Sequence, residues 1–216
     1  MKRAVRAAAP RRDLRVVRGE ETHARILQTA MDVASTEGLE GLTIGHLATA
    51  LGVSKAGLFA HFGSKEALQL ATVEAARGVY FAAIVEPALG ASEGLPRLRR
   101  LCEAWLDYVE QETFRGGCFF SSTSAEFDSR PGKVRDLIAQ TMREWLDFLE
   151  SAIADAVRLG HVKKDVDAAQ LAFELNAMEM AGNWAKQLLL DPTAIKRARV
   201  GILSRLDAIT LPAARG

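Results

Sequence analysis

The sequence predicts an all-α protein, and three observations carry that prediction. Its six prolines fall where helices start or stop: Pro10 in an N-terminal arm, Pro87 near the end of one helical stretch, Pro96 near the start of the next, Pro131 before a long helical pattern, and Pro192 and Pro212 on either side of the last helix. Proline suits a first turn and breaks an interior. Apolar residues recur at helical spacing along nearly the whole chain, and no stretch alternates convincingly at period two. Ser or Thr stands before several of these runs, where its oxygen can cap free backbone N–H groups.

The elements follow in order. The first helix is expected over about 20–37, with Glu20 and Glu21 in a first turn that favours acidic groups. Ile26, Ala30, Val33 and Glu37 follow helical spacing, Leu27, Met31 and Ala34 widen the apolar stripe, and Gly38 is the expected stop. Thr43 is placed to cap a second helix whose Ile44, Leu47, Ala48 and Leu51 face one way; Gly52 ends it. Val53 is expected to plug the turn into the core. Ser54 caps a third helix of roughly 54–60, and Ser64 a long fourth reaching about Ala88. Further helices are expected near 94–113, 118–127, 132–159, 166–190 and 193–210. There is no internal repeat and no low-complexity segment.

A capped helix, a glycine-containing turn and a short capped helix make a helix-turn-helix. Its inward positions are apolar: Leu47, Ala48, Leu51, Val53, Leu58 and Phe62. Its outward positions on the short helix are Lys55, Ala56, Gly57 and Ala60, small or basic as a helix lying close in a major groove requires. Helix N-termini at Thr43, Ser54 and Ser64 offer N–H groups suited to phosphate, and His61 and Lys65 add side-chain donors.

Thr43, Ile44, Leu47, Ala48, Leu51, Gly52, Val53, Ser54, Gly57, Leu58, Phe59, His61, Phe62, Lys65, Glu66 and Leu68, with Arg25–Leu27, Ala30, Ala34 and Gly38 before them, resemble the DNA-binding domain of the TetR family of bacterial transcriptional regulators over about residues 20–70. "GGCFFSSTSAEF" also resembles a turn and helix start of some members. The charge distribution suggests a basic flexible arm at 1–18, and the resemblance implies a helix-turn-helix DNA-binding domain at 19–65 and a larger C-terminal helical domain at 66–212 that binds a ligand and dimerises. By the same analogy Thr43, Ser54, His61 and Lys65 hold phosphates, while Lys55 and Gly57 face base edges. The family usually has Tyr where this chain has Phe59, whose ring packs against sugar and backbone but donates no hydrogen bond.

In the larger domain, 166–190 is apolar on more than one face through Leu171, Phe173, Leu175, Met178, Met180, Trp184 and Leu188, and so is expected to be buried on several sides. Ala172, Ala181 and Gly182 would admit another helix closely. The last helix carries a stripe of Ile195, Ala198, Ile202, Leu206 and Ile209. Two such helices from each subunit would form a four-helix dimer interface, as the resemblance implies; the alternative is that they complete the monomer core. Trp105, Tyr108, Phe119, Phe120, Phe127, Trp145, Phe148, Asn176, Met180 and Trp184 are candidates either for a pocket taking a small, largely apolar ligand or for ordinary core.

Composition narrows the function classes. The chain has 216 residues, 49% of them hydrophobic, and net charge +1. Residues 1–18 hold seven Lys/Arg against one Asp, net +6, which leaves −5 on the remaining 198. A basic arm on a mildly acidic body suits either phosphate contact or plain solvation. No secretory leader is expected, because the basic N-terminus lacks an apolar core. No apolar run is expected to span a membrane. Cys102 and Cys118 are isolated, so a cytoplasmic protein with reduced thiols is expected. His23, His46 and His161 are scattered and suggest no metal site, and no cofactor is implied. Ser121, Ser122 and Ser124 lie near Glu126, but no nucleophile elbow, zinc-protease, P-loop or dinucleotide motif is present, so no enzyme is expected. The expected function is a dimeric regulator, usually a repressor, that binds a palindromic double-stranded DNA operator and responds to a small-molecule effector. The alternative is an architectural or division-control DNA-binding protein of the same fold without a ligand.

Overall fold

The computed structural model describes residues 14–214. Ten α-helices follow one another: α1 (Leu14–Glu37), α2 (Ile44–Leu51), α3 (Lys55–Phe62), α4 (Lys65–Tyr80), α5 (Glu86–Leu89), α6 (Leu95–Glu110), α7 (Phe119–Phe127), α8 (Lys133–Arg158), α9 (Ala168–Leu188) and α10 (Ala194–Ile209). The described residues form no strand, only an isolated antiparallel bridge between Val162 and Thr210. Helix α1 begins at Leu14, earlier than the apolar spacing predicts, so the end of the expected basic arm is helical. The rest of that arm, 1–13, lies outside the described residues.

The predicted caps form. The side chains of Thr43, Ser54 and Ser64 accept hydrogen bonds from the N–H groups of His46, Gly57 and Ala67. Gly52 closes α2 in the left-handed region at φ 66°, where a glycine avoids the Cβ penalty. Val53 does not plug the turn: it is exposed, because the left-handed Gly52 turns the chain outward before α3.

Residues 81–85 are a π-helical turn between α4 and α5, in which the Glu86 N–H reaches back five residues to the Phe81 carbonyl. Pro87 accounts for it. A proline ring clashes with the carbonyl four residues earlier and donates no N–H, so the ladder widens just before it. By length and composition the run Lys65–Leu89 could cross a membrane, contrary to the expectation that no such run exists. Its apolar residues Leu68, Val73, Ala76, Tyr80, Ile84 and Ala88 instead pack into the protein core.

One hydrophobic core runs from Ile26 on α1 to Ile209 on α10. Helix α4 packs against both α1 and α8, and α7 touches both α1 and α8, so these two helices join the N-terminal trio to the body. The junction is close. A Cβ on Gly116 would overlap the Ser35 carbonyl oxygen, so only glycine lets the end of α1 dock there. Cys102 and Cys118 are buried free thiols, as expected of small apolar groups.

Candidate nucleic-acid interface

Helices α2 and α3 present a concave surface of about 610 Å³ lined by Ile44, Gly45, Lys55, Ala56, Phe59, Ala60 and Lys65. Leu47 and Leu58 are buried beneath it and Phe62 nearly so, which fixes the angle between the two helices. Thr43 and Ser54 stand exposed at the helix starts. Each hydroxyl oxygen accepts from the backbone and leaves its own O–H available to donate. Gly57 is exposed on the first turn of α3, where small size permits close backbone approach. Phe59 is 57% exposed, an outward ring on α3.

Two cations are held in ways the sequence did not show. The Lys55 side chain lies across Gly45 of α2, where an added Cβ would come within 3.0 Å of its Cε. Lys65 Nζ donates to Glu40 Oε1 at 2.7 Å, and this pair holds the Glu40 carboxyl below its ordinary range. Both partners are substantially exposed, so the pair is weak and leaves Lys65 able to swing to a phosphate at little cost. His61 is exposed beside His23 of α1, ring centroids 6.4 Å apart, and His23 stacks on Phe62. His46 lies 3.6 Å from Glu37 on the surface.

In the body, the expected pocket residues separate into four places. Trp105, Tyr108, Phe119, Phe120 and Trp145 are buried together around Tyr80, whose ring meets those of Tyr108, Phe120 and Trp145 edge-on at 5.4–5.8 Å. Phe127 sits instead at the junction with the N-terminal trio, under the Arg130 guanidinium. Asn176 and Met180 pair with each other, Nδ2 to Sδ 3.5 Å, and are half-buried. Trp184 is not in the interior. It is 54% exposed, with Phe173, Leu188 and Val200, because α9 turns its other face, Leu171, Leu175, Glu179 and Gly182, toward the core. The expectation that α9 is covered on several sides therefore fails within one chain. Gly182 does admit a helix, but it is α10 of the same chain: a Cβ there would press on Ala198.

The residue missed from the sequence is Glu179. It is 0% exposed, and neither carboxylate oxygen has a hydrogen-bond partner. The Trp145 N–H lies near enough to favour the ionised carboxyl slightly, but burial dominates and pushes its pKa well above the ordinary 4.5. The charge of Glu179, in turn, adds to burial in raising Tyr80 and Cys102. The Tyr108 hydroxyl and the Trp145 N–H are also buried without partners. A signal existed: Leu171, Leu175, Glu179 and Gly182 are spaced by four, four and three, which puts a carboxylate on the inward stripe.

A family model described as bacterial regulatory proteins of the TetR family matches residues 26–72, and one described as the tetracyclin repressor-like C-terminal domain matches 94–202. No curated protein matches the chain. Among solved structures, a TetR transcriptional regulator from Chloroflexus aurantiacus superposes with TM-score 0.83 at 22% identity, covering 90% of this chain and 98% of that one. A putative regulator from Saccharomonospora viridis in complex with choline gives 0.75 at 23%, covering 89% and 99%. AibR in complex with isovaleryl coenzyme A and operator DNA gives 0.68 at 22%, covering 85% and 97%.

Proposed function

The chain belongs to the TetR family of bacterial regulatory proteins, and from that premise we propose that it is a cytoplasmic, non-enzymatic repressor that binds a palindromic operator as a homodimer and is released by a small-molecule effector. The observation that carries the DNA reading is the exposed, capped α3, with Lys55, Gly57 and Phe59 outward over a buried Leu58. Ser54, Thr43, His61 and Lys65 then ring it as phosphate partners.

The dimer reading is supported by the apolar face of α9 and α10, where Phe173, Trp184, Leu188 and Val200 are each more than half exposed among the described residues. The effector reading is supported by the unpartnered Glu179 inside an aromatic cluster, and by two similar structures that hold small molecules. A ligandless architectural protein would have no use for such a group.

Helix α4 links the two ends. Lys65 begins it beside the operator face and Tyr80 ends it in the aromatic cluster, about 22 Å away at 1.5 Å per residue. A ligand that moves Tyr80 tilts α4 and with it the trio. Coupling is reciprocal, so an effector that weakens DNA binding must itself bind the DNA complex less well.

The test is fluorescence anisotropy of the full chain on fragments of its own upstream DNA at two salt concentrations. Binding whose affinity falls steeply with salt, and is lost on scrambled fragments, is the expected outcome. Salt-insensitive or sequence-blind binding would remove the operator reading.

A further inference from the structure

Glu179 stands apart from the other charged groups among the described residues. Among the described residues, the buried polar side chains are Ser, Thr, Gln and Asn apart from this one carboxyl. No Lys or Arg is buried with it, and both its oxygens are empty-handed. A buried carboxylate is costly unless a positive charge or several donors meet it. The chain supplies neither. Around it are π systems: Trp145 is adjacent, and Tyr80 joins Trp145 to Tyr108 and Phe120 through edge-on contacts. In each edge-on contact one ring's edge meets another ring's face, and the face of an aromatic ring carries the negative lobe of its quadrupole. Carboxylate oxygens and ring faces both attract cations.

We propose that this cluster is the effector site, and that it takes a small organic cation, an amine or quaternary ammonium group on an apolar body, whose charge is neutralised by Glu179 and packed against Tyr80 and Trp145. The proposal rests on the ligand-responsive reading above and names its ligand class.

The aromatic cluster reaches the surface between α4 and α8. A crevice of about 20 Å³ between α4 and α8 is lined by Tyr80, Phe81, Trp145 and Phe148. Arg77 and Glu144 stand at the same crevice, and Arg77 Nη2 donates to Glu144 Oε2 at 2.8 Å, so the guanidinium there is already neutralised and does not bar an incoming cation. The π-helical turn 81–85 directly follows Tyr80, so the ladder is already irregular where this ring must shift to admit a ligand.

The experiment is isothermal titration calorimetry of DNA-free full-length protein with benzyltrimethylammonium chloride, and in parallel with neopentylbenzene, its neutral isostere. Wild type should bind the cation saturably, and at least ~30-fold more tightly than the neutral compound, in keeping with a desolvated charge pair. Glu179→Gln keeps the shape and removes the charge. It should lose that preference while melting no lower than wild type. Tyr80→Phe, which keeps the ring, should bind like wild type; Tyr80→Leu should weaken the cation several-fold. Absence of saturable cation binding by wild type, or a cation preference that survives Glu179→Gln, overturns the proposal. Operator anisotropy on the same preparation separates the two readings. If DNA binds and the cation does not, the ligand class is wrong and the regulator stands. If the cation binds in a Glu179-dependent way and no DNA does, the site stands and the operator reading falls.

Discussion

The carboxylate of Glu126 on α7 accepts a hydrogen bond from the backbone N–H of Leu39, 2.8 Å away, across the junction between the body and the N-terminal trio. Its other oxygen accepts from the Glu40 N–H, also at 2.8 Å. One side chain thus satisfies two N–H groups in the loop after α1, and Gly38, at φ 86°, lets the loop pass so near that a Cβ would meet Glu126 Oε1 at 3.0 Å. Glu126 thereby holds the loop after α1 against α7. Glu126→Gln turns an amide N–H₂ toward one of the two N–H groups. The expected loss is about 2 kcal/mol, a bond to a charged acceptor, or roughly 4–8 °C in melting temperature for a chain of this size. A melt unchanged within 1 °C, about a quarter of that, would show the pair contributes nothing.

Lys55→Ala should cost about 1–3 kcal/mol in operator affinity and relax sequence preference at one base step. Competition anisotropy against single-base operator variants reads both. Equal loss on every sequence would place Lys55 on phosphate.

Phe59→Tyr restores a phenolic donor at an exposed position on α3. Operator binding should be equal or tighter, by at most about 1.5–3 kcal/mol, the value of a hydrogen bond to a charged group. A large loss would mean that the outward face of α3 is not the DNA face.

Glu179→Gln should raise stability at neutral pH. Burial is the main cause of the raised pKa of this carboxyl, so the folded chain keeps this proton to higher pH than the unfolded chain, which ionises near 4.5. The folded state then binds the extra proton, and its stability falls as pH rises above 4.5 toward the folded pKa. Glutamine escapes that penalty. The gain in melting temperature over wild type should be present at pH 7–8 and vanish below about pH 4.5. A pH-independent difference would mean the carboxyl titrates as in water.

Trp184→Glu places a charge on the uncovered face of α9. Sedimentation should show the dimer dissociation constant raised at least tenfold, about 1.4 kcal/mol, with operator binding weakened in parallel. An unchanged monomer–dimer equilibrium would move the interface elsewhere.

The sequence by itself determined the capped starts of α2, α3 and α4 and most of the inward and outward positions of the helix-turn-helix. Thr43, Ser54 and Ser64 cap where their hydroxyls predict, because a cap depends on residues three positions apart. Leu47 and Leu58 are buried, and Lys55, Gly57 and Phe59 are outward, because helical spacing is a local property. Tertiary structure decided what depends on distant partners. It sent Trp184 outward and Glu179 inward, since only the packing of α8 and α10 says which stripe of an all-round apolar helix is covered. It paired Lys65 with Glu40, 25 residues away, and Glu126 with Leu39, 87 residues away. It gathered Tyr80, Tyr108, Phe120 and Trp145 from four helices around a carboxylate. Side chains so far apart in the chain carry no spacing that could announce their meeting, and burial, which gives Glu179 its chemistry, exists only once the chain has folded.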